Sequence, residues 1–176
     1  MSQVTIIGAG VAGLTIAREV LDLSLKVTLI DRYEGIGPHQ CSWWAGGMLA
    51  PFCEGESAEE PVVRLGAGAA AWGQKHAGSV TQAGALVVSP ARDRADMRRF
   101  ARRPTAFRES GAEAIAKLEP ALAGRVSDGR WFAPEAPLAP RAALPTLRAG
   151  LHKEGTTCEE GEARPETHTC PRACER

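Results

Sequence analysis

Near the amino terminus, Gly8-Ala9-Gly10-Val11-Ala12-Gly13 has the residue types and spacing to cradle a phosphate. Gly8 permits a tight turn out of a strand, Gly10 lets the backbone approach a pyrophosphate, and Gly13 lets the following helix pack closely. Asp31 follows a second apolar run and stands where a ribose hydroxyl needs an acceptor. Glycine turn and acid together describe a site for a nucleotide bearing a pyrophosphate.

Such a site needs particular elements on either side of the turn. Val4-Thr5-Ile6-Ile7 carries no polar residue except Thr5 and predicts a fully buried parallel strand. From Ala12 to Leu23, Leu14, Ala17, Val20 and Leu21 form an apolar stripe on a helix, with Arg18, Glu19 and Asp22 facing outwards. Lys26 to Ile30 predicts the second strand, which makes the opening a right-handed βαβ unit. Strand, glycine turn, helix, strand and terminal acid fall in order within about 30 residues, which is far more specific than the glycines alone.

Beyond Asp31 the pattern is less regular. Gly35, Gly37 and Pro38 interrupt any element, and Cys41 to Pro51 reads as a small-residue and aromatic loop feeding a short helix. Val62, Leu65, Ala69 and Trp72 recur at helical spacing, although Gly66 and Gly68 weaken such a helix by about 1 kcal/mol each. Ala85-Leu86-Val87-Val88, bounded by Gly84 and Pro90, predicts a strand. Helices are expected from about Asp93 to Arg103 and from Ala112 to Leu118, before Pro120. Trp131-Phe132 suggests a short strand, and Arg141 to Leu151 a helix despite Pro145. From His152 onward the chain turns polar without apolar periodicity, a composition expected to remain disordered.

The 176 residues include 21 acidic and 21 basic side chains, so no global charge argues for nucleic acid or an anionic membrane. Arg94, Arg98, Arg99, Arg102 and Arg103 are interspersed with acids and read as a solvated helix face. A small-molecule partner fits better. With no secretory signal and no membrane-spanning run, a cytoplasmic location is expected. The odd set of Cys41, Cys53, Cys158, Cys170 and Cys174 reads as free thiols. The last three lie near His168 without paired C-x-x-C spacing, so no metal site is expected. His39 has no obvious ligand set or carboxylate partner and is assigned no role.

Taken with Asp31 and the glycine turn, the segment Ser42-Trp43-Trp44-Ala45-Gly46-Gly47-Met48-Leu49-Ala50-Pro51 resembles the flavin-dependent amino-acid oxidases, and within them the glycine oxidase type of thiamine biosynthesis. A nicotinamide dehydrogenase would share the turn and the acid but have no use for this small-residue loop. The resemblance implies an α/β protein: a Rossmann-like FAD-binding βαβ domain over residues 1–82 and part of an α+β substrate domain with a returning helix over 83–151; the tail over 152–176, expected to be disordered, matches nothing in that family.

It also implies roles for individual residues. Val11 and Ala12, with Gly8, Gly10 and Gly13, would offer backbone to the pyrophosphate at the helix N-terminus. Asp31 would accept from the adenosine ribose, with Arg32 beside it. Cys41 and Ser42 would touch FAD through backbone or hydroxyl, and Gly46, Gly47 and Met48 would run along the isoalloxazine, where small residues let the main chain come close. Trp43 and Trp44 read as core or interface aromatics rather than flavin-stacking groups.

The implied reaction is oxidation of glycine or a small amine or amino acid, with oxygen, to an imine and then an oxo acid, ammonia and hydrogen peroxide. In the resembled family the substrate-anchoring arginine and tyrosine come from a carboxy-terminal half that this sequence does not reach. It is therefore expected to be a truncated product, and no catalytic residue is assigned. Glu135-Ala136-Pro137-Leu138-Ala139-Pro140 departs from the acidic and histidine-bearing turn of that family, its prolines removing backbone donors. Three other readings stay open: an NAD(P)-dependent oxidoreductase, a non-catalytic dinucleotide-binding fragment, and a non-functional fragment that leaves a strand edge exposed and tends to aggregate. Assembly into a homo-oligomer is compatible with each.

Overall fold

A computed structural model describes residues 2–163. The sequence readings of His168, Cys170 and Cys174 lie outside the described residues. Two compact units form, and they interleave along the chain. One unit takes residues up to Gly46, residues 76–78 and those from Ala139 onward; the other takes Gly47–Lys75 and Ser79–Leu138.

The first unit begins with β1 (Gln3–Ile7), α1 (Val11–Asp22) and β2 (Lys26–Asp31). β1 and β2 pair in parallel, with Ile6 opposite Leu29 and Ile7 opposite Ile30. β2 is buried from Val27 through Ile30 without alternation, the pattern of a parallel strand covered on both faces. β1 corrects the expectation of full burial. Only Ile6 is buried and Ile7 is half-exposed, because β1 has one neighbour in its sheet among the described residues.

Leu14 and Ala17 of α1 are sealed from solvent, each buried leucine-sized side chain contributing about 1.5–3 kcal/mol. Arg18, expected to face outwards, is instead only 8% exposed. Its guanidinium meets Asp22 at 2.5 Å and both oxygens of Glu154, at 2.5 and 2.8 Å, so paired charge makes the burial tolerable.

The carboxy-terminal part of this unit holds the other correction. His152 and Lys153 complete a helix that starts at Pro140, and Thr157–Glu160 forms a strand paired in parallel with β2. The polar composition expected to remain disordered is ordered there by backbone pairing: the outer edge of β2 needs hydrogen-bond partners whatever side chains they carry. The strand order is thus β1, β2, then Thr157–Glu160.

In the second unit Met48–Leu49 (β3) precedes α2 (Pro51–Glu54), α3 (Glu60–Gly66) and α4 (Ala69–His76), whose last residue, His76, is grouped with the first unit. The single helix expected over Val62 to Trp72 is two, broken where Gly66 and Gly68 fall. Gly66 also packs tightly: a Cβ there would lie 2.7 Å from Pro51. Val62 and Leu65 are exposed, so their helical spacing does not mark a core face.

An antiparallel sheet follows, formed by β4 (Ala85–Val88), β5 (Arg108–Gly111) and β6 (Asp128–Phe132), with β6 central. Between them come α5 (Arg94–Phe100) and α6 (Ala112–Leu118), near the expected bounds. Phe132 is fully buried, with Phe100 at 6.3 Å and Phe107 at 5.6 Å between ring centroids. β7 (Ala136–Pro137) pairs antiparallel with β3. The chain then returns to the first unit as α7 (Pro140–Lys153), with Pro140 in its first turn, and β8 (Thr157–Glu160).

Candidate functional site

The turn after β1 is built from close approaches. Gly8 adopts a φ of 102°, a conformation that glycine enters without strain, and its N–H donates to the Ile30 carbonyl at 2.7 Å. A Cβ at Gly13 would lie 1.8 Å from the Gly8 carbonyl oxygen, so only glycine lets α1 begin this close to β1. Gly10 is the residue before α1 and supplies no side-chain cap. Ser42, 31 positions beyond Val11, does so instead: its Oγ accepts the Val11 N–H at 3.0 Å and lies 3.1 Å from where a Gly10 Cβ would stand. The Val11 N–H, expected for a pyrophosphate, is thus engaged by Ser42. No acidic side chain occupies the first turn of α1, where the backbone dipole favours an anion.

Asp31 ends β2 directly beside this turn. Its Oδ2 accepts the Ala9 N–H at 2.5 Å and the Gln40 amide at 3.2 Å, while its Oδ1 receives the Tyr33 N–H at 3.4 Å. A cavity of about 420 Å³ opens here, lined among others by Ile7, Gly8, Asp31, Arg32, His39 and Gln40. Arg32 meets Glu162 at 3.3 Å, both exposed. His39 packs against Tyr33 with the rings tilted by 49° and their centroids 4.8 Å apart.

Gly8, Gly10, Val11, Ala12, Gly13, Asp31, Arg32 and Ser42 thus converge in one unit. Cys41 precedes Ser42 in a single 3₁₀ turn, Cys41–Trp44, and its side chain is exposed. Gly46 ends the segment, and Gly47 and Met48 belong to the other unit. There Gly47 accepts the Leu138 N–H at 2.8 Å, and Met48 opposes Pro137. Trp44 is 64% exposed, so it is not a core aromatic; Arg141 lies 5.4 Å from the Trp43 ring and 5.2 Å from the Trp44 ring.

Two residues of the site escaped sequence reasoning. Gln40 sits in a glycine- and proline-broken loop, where nothing in the pattern distinguishes an amide that folds back on β2. Glu162 lies in the polar stretch expected to be disordered. Among the described residues no group of three or more His, Cys, Asp or Glu is placed to hold a metal, and no helix is long and apolar enough to cross a membrane.

A parallel βαβ unit with a glycine turn and a strand-end acid defines the Rossmann-like class of nucleotide folds. Within it, this chain belongs to the DAO family of FAD dependent oxidoreductases, whose signature matches residues 3–166. FAD is the cofactor of that family.

The chain is 47% identical over 150 residues to the thiamine biosynthesis oxidoreductase ThiO, as it is named, of Rhizobium etli, covering 85% of this chain and 46% of that protein. Its fold is similar to glycine oxidase from Geobacillus kaustophilus, with a TM-score of 0.71 at 18% identity over 91% of this chain and 47% of that one. It is also similar to the FAD-bound L-α-glycerophosphate oxidase of Mycoplasma pneumoniae, with a TM-score of 0.71 at 18% identity over 90% of this chain and 44% of that one. The chain spans less than half the length of each of these proteins.

Proposed function

We propose that this chain is the FAD-holding part of an oxidase of the glycine oxidase type. The observation that carries the reading is the junction of the glycine turn with Asp31, where the Ala9 N–H meets the carboxylate at 2.5 Å beside the cavity of about 420 Å³. The residues suit the adenosine and pyrophosphate of FAD. A Cβ at Gly13 would lie 1.8 Å from the Gly8 carbonyl oxygen and one at Gly10 3.1 Å from Ser42 Oγ, so glycine at these positions lets the turn close against the start of α1, where an anion is favoured.

In this reading Gly8, Gly10, Ala12 and Gly13 present main chain to the pyrophosphate, and Val11 is held in place by Ser42. Asp31 accepts a ribose hydroxyl, and Arg32 flanks it. Cys41 touches the cofactor through its backbone, and Gly46, the last residue of this unit, contributes main chain towards the isoalloxazine. When bound, FAD supplies hydride acceptance and reoxidation by oxygen. The whole reaction would take glycine or a small amine or amino acid, with oxygen, to an imine and hydrogen peroxide, water then releasing ammonia and the oxo acid. Its membership of the DAO family and the name of the Rhizobium relative support this choice of chemistry.

The test is a visible absorption spectrum of the purified chain, a titration with FAD read by flavin fluorescence, and a peroxide assay with glycine. Flavin bands and saturable FAD binding are expected, and Asp31→Ala should weaken that binding. A colourless chain that binds NAD but not FAD overturns the reading. Bound flavin with no peroxide from glycine removes the catalytic half for this chain and leaves the cofactor half standing.

A further inference from the structure

One side chain ties the glycine turn to the acid at the end of β2. Gln40 donates through Nε2 to the Ala9 carbonyl at 3.1 Å and to Asp31 Oδ2 at 3.2 Å. The Ala9 N–H reaches the same carboxylate oxygen. The amide can face only one way, because a flipped amide would set its carbonyl against two acceptors. Gln40 is 8% exposed, and its Oε1 is buried without a hydrogen-bond partner, so the side chain is anchored by its nitrogen.

This arrangement gives the two carboxylate oxygens of Asp31 different tasks. Oδ2 is taken by two donors, whereas among the described residues Oδ1 has only the Tyr33 N–H at 3.4 Å, a long contact. Asp31 and Gln40 line the same cavity of about 420 Å³. A carboxylate rotates easily about its terminal torsion, and two donors on one oxygen restrain that rotation.

We propose that Gln40 is a positioning residue for the adenosine ribose, holding the Asp31 carboxylate so that Oδ1 is presented to a ribose hydroxyl. The inference rests on the FAD reading above and extends it to a residue outside the glycine turn. Without the amide, Oδ2 keeps the Ala9 N–H alone and Oδ1 loses its fixed direction. A neutral amide suits the task because it donates to Asp31 without neutralising the charge that makes the carboxylate a strong acceptor.

The experiment titrates ADP and 2′-deoxy-ADP by calorimetry into the whole chain and into Gln40→Leu and Gln40→Glu, with a thermal midpoint for each protein. The wild type should prefer ADP about tenfold, the worth of one hydrogen bond to a charged acceptor. Both variants should bring the ratio close to one. A merely structural role would weaken both ligands together and leave their ratio unchanged. Gln40→Glu keeps the shape of the side chain and remains informative should Gln40→Leu fail to fold.

A folded variant that retains the tenfold preference overturns the assignment of Gln40. A wild type that binds FAD and ADP but does not discriminate between the two ADP forms overturns the ribose contact while leaving the FAD reading intact. A wild type that binds neither FAD nor ADP overturns both.

Discussion

The carboxylate of Glu135 accepts the backbone N–H of Cys53 at 2.6 Å, across 82 positions of the chain. Cys53 lies in α2, whose preceding residue, Ala50, has no side chain able to cap it, so the acid at the end of the β6 turn does that work. Glu135 is 1% exposed. Glu135→Ala should therefore leave α2 uncapped and destabilise the protein by about 1–3 kcal/mol in denaturant unfolding. Glu135→Gln, which keeps an acceptor oxygen, should cost less.

Glu135 should also give stability a pH dependence of unusual sign. Burial pushes its carboxyl above the ordinary value of 4.5, Glu54 adds to the shift, and the backbone of Cys53 and Phe52 opposes it. The folded state then binds the proton more tightly than the unfolded chain does. Its contribution is greatest below 4.5 and is lost as pH rises through the raised value. Thermal midpoints measured from acid to neutral pH should show this loss in the wild type, and a flatter profile in Glu135→Gln.

Glu154 should act in the opposite direction. The Arg18 side chain, by hydrogen bond first and by charge second, holds its carboxyl below the ordinary 4.5. Its contribution is present above 4.5 and disappears as pH falls through the lowered value. The stability difference between wild type and Glu154→Gln should accordingly shrink towards zero in acid. A difference that persists at low pH would show that Arg18 is not held by the charge of Glu154.

The thiols should differ in reactivity. Burial first, then Glu135, Glu54 and Glu56, push the Cys53 thiol up to about 11, so it is protonated and poorly nucleophilic at neutral pH. Cys41 is exposed. Brief alkylation at neutral pH, read by peptide mass spectrometry, should mark Cys41 well before Cys53. Comparable labelling of the two would mean that α2 opens readily.

Two glycines of the same turn should respond unequally to alanine. At Gly13 the new methyl group meets backbone at 1.8 Å, which neither side can yield cheaply, so a loss of about 3 kcal/mol or more is expected together with lost FAD binding. At Gly10 it meets the Ser42 hydroxyl at 3.1 Å, a side chain that can rotate at the expense of its bond to Val11. Urea unfolding of both variants measures the contrast, and equal costs would refute this account of the turn.

What the sequence disclosed follows from the kind of information each element needs. β2, α1 and the glycine turn declare themselves locally, through apolar runs, helical spacing and residues whose backbone freedom nothing else supplies. β5, with Arg108-Glu109-Ser110-Gly111, and β8, with Thr157-Cys158-Glu159-Glu160, carry no such signature, since their strand character comes from the backbone of β6 and β2. Arg18 reads as polar until the distant Glu154 is placed beside it. Within the site, Asp31 is visible from its position after a strand, whereas Gln40 gains its meaning only when the loop from Gly35 folds back on Ala9.

The place of β8 in the sheet sets an order of events during synthesis. β2 is complete once Asp31 has left the ribosome, yet the strand that covers its outer edge begins at Thr157, after the entire second unit. The later unit in sequence is therefore the first that can close, while the earlier β2 waits with an unpaired edge. Such an edge invites pairing with other chains, so growth of the nascent polypeptide from Asp31 to Glu160 is the interval in which a chaperone would matter most.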